Sequence, residues 1–295
     1  MSDERESAQP TGNESAGPVG PLPIEFIPTA RPLAFDPPPT EIHRDRAFLL
    51  FDERRSSAWI DVALMILFLL ATEVFLGTLL GVFVSMAESH RDLSEGELER
   101  VLLIPAISVR AVIVVGLAMV ILRHRGQGHR ALGLEGSRLL GHFGVGVLSV
   151  VVAYGLITLW LTLLWVTMPG LLEEMNENAN RLMDLLPRMS PLGFLLFAVL
   201  VGLYEELLFR GFFMPRLRRA TGSWVLAVVL STVPFAMLHL LDQEPIALGP
   251  VAILSLVFSV VTIMRQSIVP AIVGHTLFDL SQFLWLSHQA GDSWT

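Results

Sequence analysis

Six residues in the second half of the chain can do chemistry together. Glu205, Glu206 and Arg210 lie in Tyr-Glu-Glu-Leu-Leu-Phe-Arg-Gly, His239 closes Phe-Ala-Met-Leu-His, and His275 and Asp279 bracket His-Thr-Leu-Phe-Asp. On a helix, Glu206 and Arg210 are four positions apart and share a face, where a pair neutralises both charges. Glu205 is rotated about 100° from Glu206 and stays outside that pairing. A carboxylate withdrawn from water holds a proton more tightly, and a nearby histidine can hold a water against it. Glu205 with His239 is therefore a candidate water-activating unit. His275 and Asp279 are again four apart, which sets a hydrogen-bond donor beside a group that can orient it. Such a donor stabilises the oxyanion of a tetrahedral acyl intermediate.

The surroundings of these residues make them informative. All six fall in or beside apolar runs, and an ionisable side chain near the centre of a membrane helix costs roughly 2.5–3.5 kcal/mol on insertion scales. Singly, a buried histidine is usually a packing residue and a Glu/Arg pair an internal brace. Six such groups on three neighbouring helices with no task is the poorer account. A second intramembrane set is smaller. Glu73 and Arg110 stand near the middles of the first two apolar runs, at matching depth in an antiparallel hairpin, and read as a structural ion pair, with a role in catalysis or transport as the alternative.

The elements that must carry these residues are membrane helices. Of the 295 residues, 53% are hydrophobic and 16% charged, and the apolar residues fall in runs too long for a globular core. Seven runs appear: Trp59 to Met86, Leu102 to Leu122, Phe143 to Met168, Leu192 to Phe213, Trp224 to Leu241, Leu248 to Met264 and Ser267 to Leu286. Each approaches the roughly 20 residues that span ~30 Å of hydrocarbon. The fold class expected is all-α, a polytopic membrane helix bundle of about seven transmembrane helices.

Loop charge sets the expected orientation. Arginines precede the first run (Arg44, Arg46, Arg54, Arg55), follow the second (Arg123, Arg125, Arg130, Arg138) and follow the fourth (Arg216, Arg218, Arg219), while Glu88, Asp92, Glu95, Asp242 and Glu244 mark the alternate side. This asymmetry predicts a multi-pass protein of the cell membrane with a cytoplasmic amino terminus.

Four regions follow. Residues 1–57 read as a disordered Pro-rich tail, since half of the 18 prolines precede residue 40. Residues 58–190 hold the first three membrane helices and a segment with Leu171, Leu172, Met175, Leu182 and Leu186 at helical spacing, which predicts an amphipathic helix on the outer surface. Residues 191–287 hold the chemistry, and 288–295 are a short tail.

Composition also excludes classes. With no cysteine there is no disulfide framework, thiolate metal site or cysteine nucleophile, and a net charge of −8 argues against nucleic-acid binding. The partners left are the lipid bilayer and a membrane-anchored peptide or protein substrate.

In order and spacing these motifs resemble those of the CPBP intramembrane proteases. That family is also called the CAAX protease and bacteriocin-processing (Abi) family, and it includes the eukaryotic CAAX prenyl endopeptidase. Its pattern of Glu-Glu-x-x-x-Arg, Phe-x-x-x-His and His-x-x-x-Asn/Asp on successive membrane helices is met by Glu205-Glu206-x-x-x-Arg210, Phe235-x-x-x-His239 and His275-x-x-x-Asp279. The resemblance spans about Pro191 to Leu286.

It implies a metal-free endopeptidase that hydrolyses membrane-associated substrates. Glu205 would activate water, His239 hold it, Glu206 and Arg210 brace the site, and His275 with Asp279 form the oxyanion site. An ionised aspartate accepts hydrogen bonds and cannot donate, which makes Asp279 the orienter of His275. No cofactor is required. The first alternative is zinc held by Glu205, His239 and His275, although the His-Glu-x-x-His helix of many zinc proteases is absent. The second is a non-catalytic membrane scaffold or immunity-type protein that keeps the fold.

Counting residues leaves one tension. Glu205 falls near mid-membrane and His239 near the outer end of helix five, yet the two must be neighbours. Either helix five is tilted or starts deeper, or helix four breaks near Gly211 and Pro215.

Overall fold

The computed structural model describes residues 48, 50, 54–89, 95–134, 138–168, 170, 189–241, 243 and 245–289, and the regular elements among them are all helical. Most of the expected tail and the amphipathic segment around residues 171–186 lie outside the described residues. Seven long helices follow in order: α1 (Arg55–Ser89), α2 (Glu95–His124), α3 (Leu139–Thr167), α4 (Pro191–Thr221), α5 (Trp224–Leu238), α6 (Leu248–Arg265) and α7 (Val269–Gln289). Five of them, α1 to α4 and α6, are long and apolar enough to cross a membrane.

The other two depart from that length and composition for separate reasons. Helix α5 has 15 residues, about 22 Å at 1.5 Å per residue. Helix α7 has the length, but His275, Asp279, Gln282 and His288 dilute its apolar character. Large apolar side chains such as Leu67, Val74 and Val112 point outward, as they do where lipid is the solvent.

Helix α4 explains the tension in the sequence reading. It does not break near Gly211 and Pro215. After Glu206 it widens into a π-helix over Leu207–Phe213 and returns to α-helix through Thr221. Pro215 falls in the first turn of that returning segment, where its missing N–H costs least. Such π segments need outside partners for their displaced backbone groups, and the Ser231 hydroxyl of α5 donates to the Phe209 carbonyl at 3.1 Å.

The helix runs past its expected end at Phe213, and the connection to α5 shrinks to two residues. Gly222 takes the left-handed backbone, φ 78°, that ends a helix at low cost. Ser223 then caps α5 by accepting from the Leu226 N–H. Glu205 lies 17 positions before Gly222 and His239 17 positions after it, so the two rise to similar height on the arms of one hairpin.

Helix α7 is wedged between α3 and α4 by close backbone approach. A Cβ at Gly274 would lie 2.6 Å from the Ser149 hydroxyl of α3, and one at Gly202 of α4 would lie 3.0 Å from the Thr276 hydroxyl. Small residues at such crossings let helices approach where no hydrophobic force drives them together.

A buried charge network ties the amino-terminal helices to α4. Asp61 of α1, 2% exposed at its side chain, takes Arg125 at 2.7 Å and Arg216 at 3.2 Å. Arg216 also donates to Gln127 at 2.9 Å and lies 3.8 Å above the Phe212 ring. Read from sequence as a loop arginine, Arg216 is fully buried on a helix. Two residues of the region expected to be a tail, Phe48 and Leu50, are buried in the bundle, and Phe48 stacks on Trp224 with ring centroids 6.4 Å apart.

Candidate active site

Helix α4 presents the two glutamates to different surroundings. Glu206 is fully buried, and its Oε1 accepts from Arg210 Nη1 at 2.9 Å and from His275 Nδ1 at 2.8 Å. The α4–α7 approach at Gly202 and Thr276 brings the histidine within that reach. Arg210 is also fully buried, its guanidinium 4.5 Å above the Phe235 ring, an arrangement that favours a cation withdrawn from water.

Because an ionised Glu206 can only accept, the shared hydrogen bond puts a proton on His275 Nδ1. His275 Nε2 then faces Asp279 Oδ2 at 3.5 Å and Glu205 Oε2 at 3.8 Å. Both separations exceed ordinary hydrogen-bond length. Both ring nitrogens of His275 are thus directed at carboxylates.

Glu205 stands about 100° round the helix from its neighbour. Its side chain is 18% exposed, and Oε2 is buried without a hydrogen-bond partner. It lines a cavity of about 90 Å³ with Tyr204, Phe235, His239, Glu73 and Arg110 among the wall residues. That volume exceeds the roughly 10–15 Å³ one water occupies.

His239 stands in a short 3₁₀ turn at the end of α5, with Nδ1 2.9 Å from the Phe235 carbonyl oxygen. A carbonyl only accepts, so Nδ1 carries a proton and a neutral ring keeps its lone pair on Nε2. Pro234 lies one turn earlier within the helix.

The six sequence candidates therefore fall into two connected places. Glu206, Arg210, His275 and Asp279 gather between α4 and α7, and Glu205 with His239 shares the cavity. Among the described residues the cavity wall includes neither His275 nor Asp279. It does include Glu73 and Arg110, joined at 2.6 Å. The sequence favours a structural ion pair for these two and leaves a role in catalysis or transport as the alternative. Tyr204, one of two tyrosines in the chain, also lines the cavity. Its position beside the paired glutamates was the only available signal.

Among the described residues no group of three His, Asp or Glu is arranged to hold a metal ion. Glu205, His239 and His275, the set a zinc reading needs, do not converge as a ligand shell.

A comparison with known families decides the broader class. Residues 187–281 match the type II CAAX prenyl endopeptidase Rce1-like family. The matched stretch runs from the start of α4 into α7, includes all three motifs, and is consistent with the CPBP and CAAX protease resemblance. At family level it supports a CAAX-type intramembrane protease, in a chain whose apolar helices make it a membrane protein. No curated protein and no solved structure matches the chain.

Proposed function

We propose that this protein is an intramembrane endopeptidase of the CAAX protease type, in which Glu205 activates water for attack on a peptide bond of a membrane-anchored substrate. The observation that carries the reading is Glu205 itself, which lines the cavity beside His239 and keeps a buried Oε2 without a hydrogen-bond donor, 3.8 Å from His275 Nε2. A buried carboxylate oxygen without a donor costs free energy in a purely structural role. It is what a general base needs before water and substrate bind.

The tautomer of His239 suits the companion task. Its Nε2 lone pair accepts one hydrogen of the water while Glu205 accepts the other, leaving an oxygen lone pair for the carbonyl carbon. Glu206, held by Arg210 and His275, fixes the helix face from which Glu205 projects. Phe209 and Phe235 give the cavity an apolar wall suited to a substrate arriving from lipid.

A Glu205→Gln variant tests this, since it keeps size and removes the base. Assayed with an internally quenched peptide carrying a prenylated cysteine, its turnover should fall by ~10²–10⁴ while yield and thermal unfolding stay at wild-type levels. Full turnover in that variant would sink the reading. If chelation abolished wild-type activity and zinc restored it, Glu205, His239 and His275 would be reassigned as ligands.

A further inference from the structure

The resemblance places the oxyanion donor on His275 and Asp279, and in this chain the two stand on the α7 side of Glu205. His275 directs both ring nitrogens at carboxylates, Asp279 is an acceptor, and neither lines the cavity in which Glu205 and His239 stand. A carbonyl bound there, with Glu205 and His239 on the attacking side, can take a further donor from another wall.

The cavity has one. Arg110 of α2 lines it with its side chain 31% exposed and is held at one end by Glu73, Nη2 to Oε2 at 2.6 Å. A guanidinium has five N–H donors in a rigid fork, so the Glu73 carboxylate on Nη2 and the Tyr204 hydroxyl beside it leave others for an acceptor. Its Nε is buried without a hydrogen-bond partner. An ion pair that served only to join two helices would be best enclosed between them. This pair instead opens onto the cavity that contains the proposed base.

We propose that Arg110 is a catalytic residue of this site, a further donor that stabilises the oxyanion of the tetrahedral intermediate, with Glu73 as the residue that positions it. The inference rests on the protease reading above. Water oxygen forms a bond to the carbonyl carbon as its proton passes to Glu205, and the carbonyl electron pair moves onto oxygen, facing Arg110. On collapse the C–N bond breaks, and the leaving nitrogen takes the proton from Glu205. No oxidant or second reactant is needed. In a site shielded from water, a fixed cation aimed at developing charge acts in the transition state far more than in the bound ground state. The substrate site would then be completed by α1 and α2, outside the matched stretch of residues 187–281.

The experiment must separate catalysis from bracing, because Arg110→Gln alone strands Glu73 in the membrane. The double variant Glu73→Gln/Arg110→Gln keeps two amide side chains able to hydrogen-bond and removes both charges. With the quenched prenylated peptide, its kcat should fall ~10²–10³ with KM unchanged. A second measurement needs no turnover. In a Glu205→Gln background, a phosphinate analogue of the peptide, anionic and tetrahedral at the scissile position, should bind more weakly once Glu73→Gln/Arg110→Gln is added. The uncleaved parent peptide should bind equally well to both. A double variant with wild-type kcat, or one that binds both ligands equally well before and after, would overturn the role of Arg110. Loss of turnover in Glu205→Gln alongside that result would leave the protease reading standing. Full turnover in Glu205→Gln would remove both.

Discussion

Adjacent glutamates in one tripeptide do different work because a helix turns 100° between them. Glu206 is fully buried and doubly bonded, whereas Glu205 lines a cavity and has a buried oxygen that no donor reaches. The two should fail differently. Glu206→Gln leaves Arg210 with an uncompensated buried charge, a loss of ~3–5 kcal/mol where one partner of a buried pair is removed. Thermal unfolding in detergent should therefore show a lower midpoint and yield together with lower turnover, unlike Glu205→Gln. Equal midpoints for the two variants would show that Arg210 does not depend on Glu206. At this scale the sequence was informative, because intramembrane charge is expensive and so is seldom idle. It was silent on what His275 touches, since the spacing to Asp279 was visible and the contact to Glu206, 69 positions away, was not.

Among the elements, hydropathy located the helices and misjudged where α4 ends. Pro215 with Arg216, Arg218 and Arg219 has the composition of a loop, yet α4 carries all four residues. A π segment absorbs the register change and a distant aspartate neutralises Arg216, and neither device leaves a local mark in the sequence. The same limit hid the equal height of Glu205 and His239, which depends on a two-residue turn. Glycines set the closest helix contacts at the site, and these can be tested directly. Gly202→Val places branched carbons where a Cβ alone would sit 3.0 Å from the Thr276 hydroxyl. It should push α7 from α4, lower the unfolding midpoint by an overpacking cost of ~1–3 kcal/mol, and reduce turnover through the Glu206–His275 contact. A variant with unchanged midpoint and unchanged turnover would show that this crossing does not hold α7 in place.

For the whole molecule, the seven-helix bundle was readable from run lengths, and its orientation remains a prediction from charge. With Arg216 buried against Asp61, the inner connection after α4 rests on Arg218 and Arg219. Reporters fused after Arg219 should report cytoplasm and those fused after Asp242 the opposite side. The reverse pattern would invert the whole assignment. Charge alone did not show that the amino-terminal helices help build the cavity, because Glu73 and Arg110 satisfy each other and so look complete without it.

The Asp61–Arg216 contact also bears on how the chain is made. The two residues are 155 positions apart, so at 5–20 residues per second the ribosome delivers Arg216 on the order of 10 s after Asp61. During that interval the first helix holds a carboxylate whose full complement of partners does not yet exist. Its seat against Arg216 forms only when α4 emerges. Arg125 reaches Asp61 before α4 exists, so the buried network is completed in two steps, the second waiting on α4.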